Sequence, residues 1–264
     1  MSTYKPLAEK LRPSDLNDFI GQRHLLDSDK PIGKALSDKQ LHSMILWGPS
    51  GVGKTTLARI ICAQMGAHFE QMSAVLDGIK ELRNVIKHAE LYKQNDTSTI
   101  LFVDEIHRFN KAQQDAFLPH IESGLITLIG ATTENPSFEI NSSVLSRARV
   151  YILNKLSSKE LESIAVRALT GQAITLENDG SLSLIIDSSD GDARRLINII
   201  EQLTHKSNHA LSKKDIVKTL QSKVSSFDKG GDIYYEQLSA FHKSVRGSSP
   251  DGALYWMARM IVSG

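Results

Sequence analysis

One eight-residue segment constrains this 264-residue chain more than any other feature. Residues 48–55 read Gly-Pro-Ser-Gly-Val-Gly-Lys-Thr and fit the phosphate-binding pattern Gly-x4-Gly-Lys-[Ser/Thr] in full. An apolar run that ends at Trp47 precedes the segment, and a helical pattern follows it. Glycines let the backbone curl so that successive N–H groups point at phosphate oxygens, and the next helix adds its positive N-terminal end. The segment therefore predicts a strand, a phosphate loop and a helix that bind a nucleoside triphosphate.

The residues of this segment have separate expected roles. Lys54 is expected to reach the β- and γ-phosphates, and the hydroxyl of Thr55 is expected to be a ligand of Mg²⁺. The predicted cofactors are therefore ATP and Mg²⁺. The predicted phosphate-binding residues are Gly48, Pro49, Ser50, Gly51, Val52, Gly53, Lys54, Thr55 and Thr56. The alternative, a glycine-rich turn without a ligand, is disfavoured by the strand and helix patterns on either side.

A second constraint is an acidic pair at the end of an apolar run. Residues 100–103 are Ile-Leu-Phe-Val and lead directly into Asp104 and Glu105. Burying unpaired charge is costly, and a Mg²⁺-nucleotide would explain why carboxylates stand there. Asp104 is then expected to hold the metal and Glu105 to orient and deprotonate the attacking water. A glutamate at this position favours a water-splitting ATPase over a small-molecule kinase, and the alternative is a solvated carboxylate at a strand end.

The alternation of strand and helix patterns predicts the fold class. Apolar strand-like runs alternate with helical patterns up to residue 153, which implies a parallel sheet in a three-layer α/β core. The predicted strands are 43–47, 68–72, 99–103, 126–131 and 150–153, and the predicted helices between them are 54–65, 79–92 and 110–122. After residue 153 only helical periodicity remains, beginning with a Ser-x-x-Glu capping box at Ser157.

Three domains follow from this change of pattern. Residues 1–153 are predicted to form the α/β nucleotide-binding domain, residues 154–224 a helical lid, and residues 225–264 the start of a third helical element. The polar, glycine-bearing segment 224–231 is predicted to link the last two.

Composition indicates a cytoplasmic protein. The single cysteine, Cys62, excludes an intramolecular disulfide framework. No run approaches the length of about 18 apolar residues that a membrane span needs, and residues 1–10 contain no apolar signal core. Residues 194–264 carry 11 Lys and Arg against 6 Asp and Glu, a net charge of +5 in a chain of net charge +1. This excess is compatible with a surface for a phosphate backbone and equally with an ordinary solvated helical surface.

Further polar residues stand at the ends of predicted elements. A strand over 126–131 leads into Thr132 and Thr133, where a hydroxyl could lie near the γ-phosphate or could cap a turn. Arg147 precedes the last strand, where arginines are usually surface residues. Asp192 can cap the helix that begins with Ala193 and Arg194, and an arginine early in that helix would face back toward the α/β core.

In this order the motifs resemble the clamp-loader-like branch of AAA+ ATPases, and within it the replication-associated recombination protein A family. The resemblance extends over nearly the whole chain. The segments that carry it are 7–13, 19–22, 104–111, 130–138 and 241–248.

This resemblance implies roles that spacing alone could not indicate. Thr133 resembles the sensor-1 residue, with Thr132 as the second choice. Arg147 resembles the arginine finger that one subunit offers to the ATP of its neighbour, and Arg194 resembles sensor 2. Residues near the N-terminus would pack around adenine, and the predicted contacts are Arg12, Ile20 and Gly21.

The resemblance also implies a function. It is that of a DNA-dependent ATPase of replication-fork maintenance and recombination, which hydrolyses ATP to remodel DNA or DNA-bound protein at single-strand/duplex junctions. The implied partners are forked DNA, single-stranded-DNA-binding protein and further copies of the chain in a tetramer, with a nucleoid-associated location and no membrane. His107, Arg108 and Lys111 would face DNA, a neighbouring subunit or solvent. In the family a C-terminal domain builds the tetramer, so residues 225–264 would be the incomplete start of a helical oligomerisation domain. Family members run beyond Gly264, so we expect a C-terminally shortened chain, which leaves tetramer formation open.

Two other functions compete with this one. The first is an ATP-binding scaffold subunit of a clamp-loader-type ring, which would have no need of Glu105, Thr133 and Arg194 together. The second is a Holliday-junction branch-migration motor, which would need a winged-helix module. The C-terminal third has helical patterns without the alternating strands of a wing.

Overall fold

The structure, a computed structural model, describes residues 5–204, 210–227 and 232–263. Its five strands are β1 (Met44–Trp47), β2 (His68–Ser73), β3 (Thr99–Asp104), β4 (Ile126–Thr132) and β5 (Arg149–Ile152). The helices that accompany the sheet are α1 (Leu7–Lys10), α2 (Arg23–Leu26), α3 (Pro31–Ser37), α4 (Lys54–Met65), α5 (Ile79–Lys93), α6 (Lys111–Asp115), α7 (Leu118–Glu122), α8 (Pro136–Glu139) and α9 (Ser142–Leu145). The helices that follow are α10 (Ser158–Gly171), α11 (Ser181–Ser189), α12 (Ala193–Thr204), α13 (Lys213–Phe227), α14 (Asp232–Arg246) and α15 (Pro250–Ser263).

The sheet is parallel throughout, in the order β2-β3-β4-β1-β5. Trp47 of β1 pairs with Thr132 of β4, and Ser73 of β2 pairs with Asp104 of β3. The carboxyl ends of parallel strands share one edge of a sheet, which is where α/β proteins bind ligands. The phosphate loop, the acidic pair and the two threonines therefore leave the sheet at the same edge, and the predicted P-loop α/β fold is confirmed.

The central strands are apolar because both of their faces are buried. In β3, Leu101 and Val103 belong to one apolar cluster together with residues of α5. Ile100 and Phe102, at the alternate positions, belong to the other cluster together with residues of α4. This alternation follows from the two-residue period of a strand. It explains why an uninterrupted apolar run can end in two polar residues that leave the core only at the sheet edge.

The prediction of one continuous helix over residues 110–122 is wrong. It is divided into α6 and α7, and α6 ends at Asp115. Pro119 lies in the first turn of α7, and a proline has no N–H to donate to the carbonyl four residues earlier. That carbonyl belongs to Asp115, so the regular hydrogen-bond pattern cannot run on from the first helix into the second, whereas a proline is tolerated at the start of the second.

The C-terminal half is helical, as predicted. In the capping box of α10, the carboxylate of Glu160 accepts a hydrogen bond of 2.7 Å from the backbone N–H of Ser157. Helix α13 continues to Phe227, so the first four residues of the predicted linker 224–231 are helical, and residues 228–231 lie outside the described residues. No helix in the described ranges has both the length and the apolar character needed to cross a membrane.

Two compact units are present. The first contains the described residues up to Ala173 together with Ile185–Glu201, and the second contains Ile174–Leu184 together with the described residues from Gln202 onward. The first unit holds the sheet and the beginning of α12. The domain limits predicted at residues 153 and 224 stay predictions.

Candidate nucleotide-binding site

The phosphate loop joins β1 to α4 through residues with left-handed backbone conformations. Gly51 has a φ of +66°, and Gly53, at the N-cap of α4, has a φ of +100°. A Cβ at Gly53 would lie 2.9 Å from ring carbons of Phe19. Glycine alone meets both requirements at position 53, the positive φ and the close approach of an aromatic ring.

Lys54 is held beneath this loop. Its side-chain nitrogen donates hydrogen bonds of 2.6 Å to the carbonyl oxygen of Gly48 and 2.8 Å to that of Pro49, and the residue is 8% exposed. An ammonium group has three N–H donors. Two of them fix the amine to the loop, and the third is left for an anion.

Charged groups at the end of β3 and at the start of α12 act on the amine of Lys54. Burial lowers the pKa of its amine, while the carboxylates of Glu105, Asp104 and Asp192 raise that pKa and the guanidinium of Arg194 lowers it. The charged form of a buried amine is stabilised by anions near it. The amine therefore lies in an electrostatic environment that β3 and the start of α12 share.

The acidic pair lies where β3 ends. Asp104 is the last residue of the strand, and Glu105 adopts a left-handed conformation with φ 51° and ψ 45° before a 3₁₀ turn over Ile106–Arg108. A non-glycine residue in this region is uncommon and is typical of functional sites. Oε2 of Glu105 is buried and accepts no hydrogen bond from the described residues.

These residues border one cavity of about 440 Å³. Twelve predicted site residues line it, namely Arg12, Ile20, Ser50, Gly51, Val52, Gly53, Lys54, Thr55, Thr56, Asp104, Glu105 and Arg194. Five predicted site residues do not line it, namely Gly21, Gly48, Pro49, Thr133 and Arg147. Gly48 and Pro49 nevertheless contact the cavity residue Lys54 through their carbonyl groups.

The oxygen atoms at the cavity suit Mg²⁺. The hydroxyl of Thr55 and the carboxylate of Asp104 line the same cavity, and both are hard oxygen ligands. Within the described ranges no group of three or more His, Cys, Asp or Glu side chains could hold a metal ion. Mg²⁺ is commonly bound through one or two protein oxygens together with water and phosphate oxygens. The two side chains present therefore fit a magnesium ion that arrives with a nucleotide.

Helix α12 begins against the phosphate loop. Ser50 donates a hydrogen bond of 2.9 Å to Asp192, and the backbone N–H of Ala193 donates one of 3.1 Å to the carbonyl of Gly51. Asp192 also accepts a hydrogen bond of 2.8 Å from the backbone N–H of Arg195, as predicted for an N-cap. Arg194, one residue earlier, lines the cavity.

The N-terminal segment closes another side of the cavity. The backbone N–H of Leu7 donates a hydrogen bond of 2.7 Å to the carboxylate of Glu201 in α12. Arg12 lines the cavity and is ion-paired with Glu9. Gly21 has a φ of +92° and packs so closely that a Cβ there would lie 2.6 Å from Leu156.

The two threonines at the end of β4 differ in burial. Thr132 is fully buried, and its hydroxyl accepts a hydrogen bond of 3.0 Å from the backbone N–H of Glu134. Thr133 is exposed, and its carbonyl accepts a hydrogen bond of 3.3 Å from the indole of Trp47. Of the two alternatives for a hydroxyl at this strand end, Thr132 makes the turn-capping contact. The choice between Thr133 and Thr132 as the sensor-1 residue stays a prediction.

His107 is the one residue of this region whose predicted environment is wrong. The prediction places it toward DNA, a neighbouring subunit or solvent, but its side chain is only 7% exposed. Its Nδ1 lies 2.9 Å from the hydroxyl of Thr132 and 3.3 Å from Oε2 of Glu105. Arg108 and Lys111 are exposed. The sequence spacing does not predict this packing, because Thr132 is 25 residues away from His107, at the end of β4.

Arg147 lies away from the cavity of its own chain. Its guanidinium is ion-paired with Glu122, at 2.5 Å from Nη2 to Oε1, and donates a hydrogen bond of 2.9 Å to the carbonyl of Ser143. The side chain is 38% exposed. This arginine is therefore at the surface, outside the set of residues that line the cavity.

Two family models match the chain. The one described as the Holliday junction DNA helicase RuvB P-loop domain matches residues 11–148, more than half of the chain. The one described as the AAA C-terminal domain matches residues 170–246.

Curated relatives match the chain over its whole length. Replication-associated recombination protein A of Escherichia coli (strain K12) is 49% identical over 276 residues, which cover 100% of this chain and 62% of that protein. ATPase WRNIP1 of Dictyostelium discoideum is 42% identical over 288 residues, which cover 99% of this chain and 33% of that protein. The chain therefore spans less than two thirds of the length of these relatives.

Solved structures share the fold. The Holliday junction branch migration motor RuvB of Thermotoga maritima superposes with a TM-score of 0.69 at 27% identity, covering 89% of this chain and 80% of that chain. A substituted form of the same protein gives a TM-score of 0.71 at 26% identity, with the same coverage. The chain thus has a nucleotide-binding fold.

Proposed function

We propose that this chain, which belongs to the AAA ATPase family with a RuvB-type P-loop domain, hydrolyses ATP to remodel DNA or DNA-bound protein at single-strand/duplex junctions. The whole of this chain matches 62% of replication-associated recombination protein A of Escherichia coli. One observation carries the proposal of hydrolysis. A single cavity is lined by the phosphate loop with Lys54, which follow β1, and by Asp104 and Glu105 at the end of β3.

In the proposed reaction the phosphates of ATP lie on the loop, where Lys54 donates its remaining N–H to them. Thr55 and Asp104 would hold Mg²⁺, which when bound would supply positive charge that offsets the charge of the phosphates. Glu105 orients a water molecule in line with the γ-phosphate and accepts its proton as the new P–O bond forms. The bond between the γ-phosphorus and the bridging oxygen breaks, and ADP and inorganic phosphate leave.

The remaining predicted residues have proposed roles around this centre. Arg12, Ile20 and Gly21 form the adenine side of the site. Arg194 contacts the γ-phosphate from α12, and Thr133, with Thr132 as the alternative, senses that phosphate from the end of β4. The position of Arg194 at the cavity supports its role, whereas the exposed Thr133 stands outside the cavity lining.

Arg147 is proposed to complete the site of a neighbouring copy of the chain. Its surface position, outside the cavity of its own chain, suits a residue that acts in trans. An arginine finger is typically worth about 10³–10⁵ in rate. The proposed active state is therefore a homo-oligomer, with a tetramer as the first candidate.

The proposed partners are DNA, in the form of forks and single-strand/duplex junctions, and single-stranded-DNA-binding protein, with a nucleoid-associated location in the cytoplasm. The relatives that carry replication-associated recombination in their name support the DNA connection. Those of Escherichia coli, Coxiella burnetii and Haemophilus influenzae match at 47–49% identity and that of Bacillus subtilis at 37%, each over nearly the whole chain, against 25–27% for the RuvB structures. This difference favours fork maintenance over Holliday-junction branch migration.

Two substitutions test the proposal. Lys54→Ala should abolish binding of a fluorescent ATP analogue, because it removes the only side-chain cation proposed to bind both the β- and γ-phosphates. Lys87→Ala, at an exposed position of α5, is the control that should bind normally. Unchanged affinity in Lys54→Ala would disprove the nucleotide site.

Glu105→Gln should retain analogue binding and lose hydrolysis by about 100-fold or more, because general-base catalysis contributes at least that much. Glu90→Gln, also exposed on α5, should hydrolyse ATP normally. Hydrolysis is measured with and without forked DNA. Equal rates in Glu105→Gln and the unsubstituted chain would disprove the role of Glu105 as general base. No stimulation by DNA in a version extended to the length of the relatives would favour the scaffold subunit.

A further inference from the structure

We propose that His107 is a positioning residue for hydrolysis, which holds the carboxylate of Glu105 and connects it to Thr132 at the end of β4. This inference rests on the proposed ATP hydrolysis, because it assigns Glu105 the role of general base. His107 belongs neither to the phosphate loop nor to the candidate sensor residues.

The environment of the Glu105 carboxylate points to a missing donor. Its Oε2 is buried and accepts no hydrogen bond from the described residues, and Nδ1 of His107 lies 3.3 Å from it. A buried carboxylate oxygen without a donor costs free energy. A buried imidazole within reach of that oxygen is therefore the donor that the carboxylate can use.

The neighbours of Nδ1 decide the position of the imidazole proton. The hydroxyl of Thr132 lies 2.9 Å from Nδ1 of His107, and it already accepts a hydrogen bond from the backbone N–H of Glu134. If Nδ1 carried no proton, it would present a lone pair to the carboxylate of Glu105. With the proton on Nδ1, His107 donates to the second lone pair of Thr132 or, after a small side-chain rotation of Glu105, to Oε2. The geometry thus favours the Nδ1–H form, with one proton between two acceptors.

The turn that carries His107 packs closely against the sheet. Ile106 is fully buried against β4, at Gly130. A Cβ at Gly130 would lie 2.7 Å from Cδ1 of Ile45 and 3.0 Å from Cδ1 of Ile106, so the glycine leaves room for both side chains on the strand. This packing of the turn on β4 accompanies the 2.9 Å distance between Nδ1 of His107 and the hydroxyl of Thr132.

Through these contacts the end of β4 can influence the general base. A displacement there, where Thr132 and the candidate sensor Thr133 lie, changes how much of the Nδ1–H hydrogen bond goes to Glu105. His107 does not line the cavity, so its loss should leave nucleotide binding intact. Its contribution is therefore expected in kcat rather than in KM.

Steady-state kinetics test this distinction. His107→Ala should lower kcat for ATP hydrolysis by up to about 100-fold, since misplacing a catalytic group by about 1 Å has that effect. KM and the affinity for a fluorescent ATP analogue should not change. His107→Asn carries an amide N–H near the position of Nδ1 and should recover part of the rate. An unchanged kcat in His107→Ala, or equal rates in the alanine and asparagine variants, would overturn the proposal.

The matched control is His88→Asn. Nδ1 of His88 also lies near a glutamate, at 3.0 Å from Glu70, but on the exposed surface of α5. This variant should hydrolyse ATP at the unsubstituted rate. A loss equal to that of His107→Ala would attribute the effect to general destabilisation and would contradict a positioning role.

A spectroscopic measurement tests the contact even where a variant fails to fold or hydrolysis is absent. Long-range ¹H–¹⁵N correlation spectra of the unsubstituted chain should show a protonated Nδ1 for His107, and Glu105→Gln and Thr132→Val should each shift that resonance. A proton on Nε2 alone, or a resonance that neither substitution moves, would refute the contact. Absent hydrolysis together with the expected spectra would instead disprove the proposed function and leave the contact intact.

Discussion

Ser50 in the phosphate loop donates a hydrogen bond of 2.9 Å to the carboxylate of Asp192, the residue that caps α12. The two residues are 142 positions apart in the sequence. The same carboxylate accepts the backbone N–H of Arg195, so one side chain fixes both the loop and the start of the helix. This contact gives the helix that carries Arg194 a defined position at the cavity.

Removal of this cap should destabilise the protein. Asp192→Ala loses the hydrogen bond to the N–H of Arg195 and is expected to lower the free energy of unfolding by about 0.5–2 kcal/mol. Asp192→Asn, whose amide oxygen caps a helix about as well, should lie within a few tenths of a kcal/mol of the unsubstituted chain. Urea denaturation of both variants checks this, and equal losses in the two would contradict the capping role.

The two glycines at the ends of α4, Gly53 in the phosphate loop and Gly66 at the C-cap, separate the effect of backbone strain from that of steric overlap. Gly66, at the C-cap of α4, has a φ of +62°, and a Cβ added to it would have no atom within 4 Å. Gly66→Ala should therefore cost about 1 kcal/mol, the penalty for a left-handed residue, and leave nucleotide affinity unchanged. Gly53→Ala adds an overlap with Phe19 and should cost more and weaken binding of an ATP analogue. Calorimetry and analogue titration provide the two readouts, and equal effects would refute the role of Phe19.

The parts of the site that depend on local pattern could be predicted from the sequence. The loop that ends at Lys54 and the acidic residue Asp104 lie next to strands whose apolar runs are themselves visible, so their meeting at one sheet edge follows from parallel pairing. The burial of His107 depends on the packing of a turn against β4, which no local pattern records. The ion pair of Arg147 with Glu122 likewise depends on tertiary packing, because the two residues are 25 positions apart.

The break between α6 and α7 is a different case. Pro119 is visible in the sequence, and its missing N–H gives a local reason for the end of α6. The helical periodicity over 110–122 nevertheless favours one continuous helix, and the proline overrides it. The strands, in contrast, differ from their predicted limits by at most one residue at each end.

His42 makes stability depend on pH. Burial lowers the pKa of its imidazole below the usual value of 6.5, and the charge of Arg149 lowers it further. The imidazole also forms a hydrogen bond of 2.7 Å with the hydroxyl of Tyr151. Between the folded-state pKa and 6.5 the unfolded chain binds more protons than the folded one, so stability falls as pH decreases through that window.

The substitution His42→Gln should therefore flatten the pH dependence of the free energy of unfolding below pH 6.5, because glutamine does not titrate. Arg149→Gln should narrow the window, since it removes the second cause of the lowered pKa. Urea denaturation of each variant at a series of pH values measures the slope. A slope that His42→Gln leaves unchanged would assign the dependence to another group.

The proposed action of Arg147 in trans leads to a mixing experiment. Arg147→Ala should retain ATP binding but lose hydrolysis by about 10³–10⁵-fold in the oligomer, because the finger of every subunit is missing. Glu105→Gln subunits are also inactive, but they still carry Arg147. Co-expressed mixtures of the two variants should regain activity, since an Arg147→Ala subunit keeps its own Glu105 and receives an arginine from its neighbour. Glu122→Gln, which releases Arg147 from its ion pair, should not lower the rate, because the guanidinium must leave Glu122 to reach a neighbouring site. Mixtures that stay as inactive as their components, although both variants assemble, would show that Arg147 does not act between subunits.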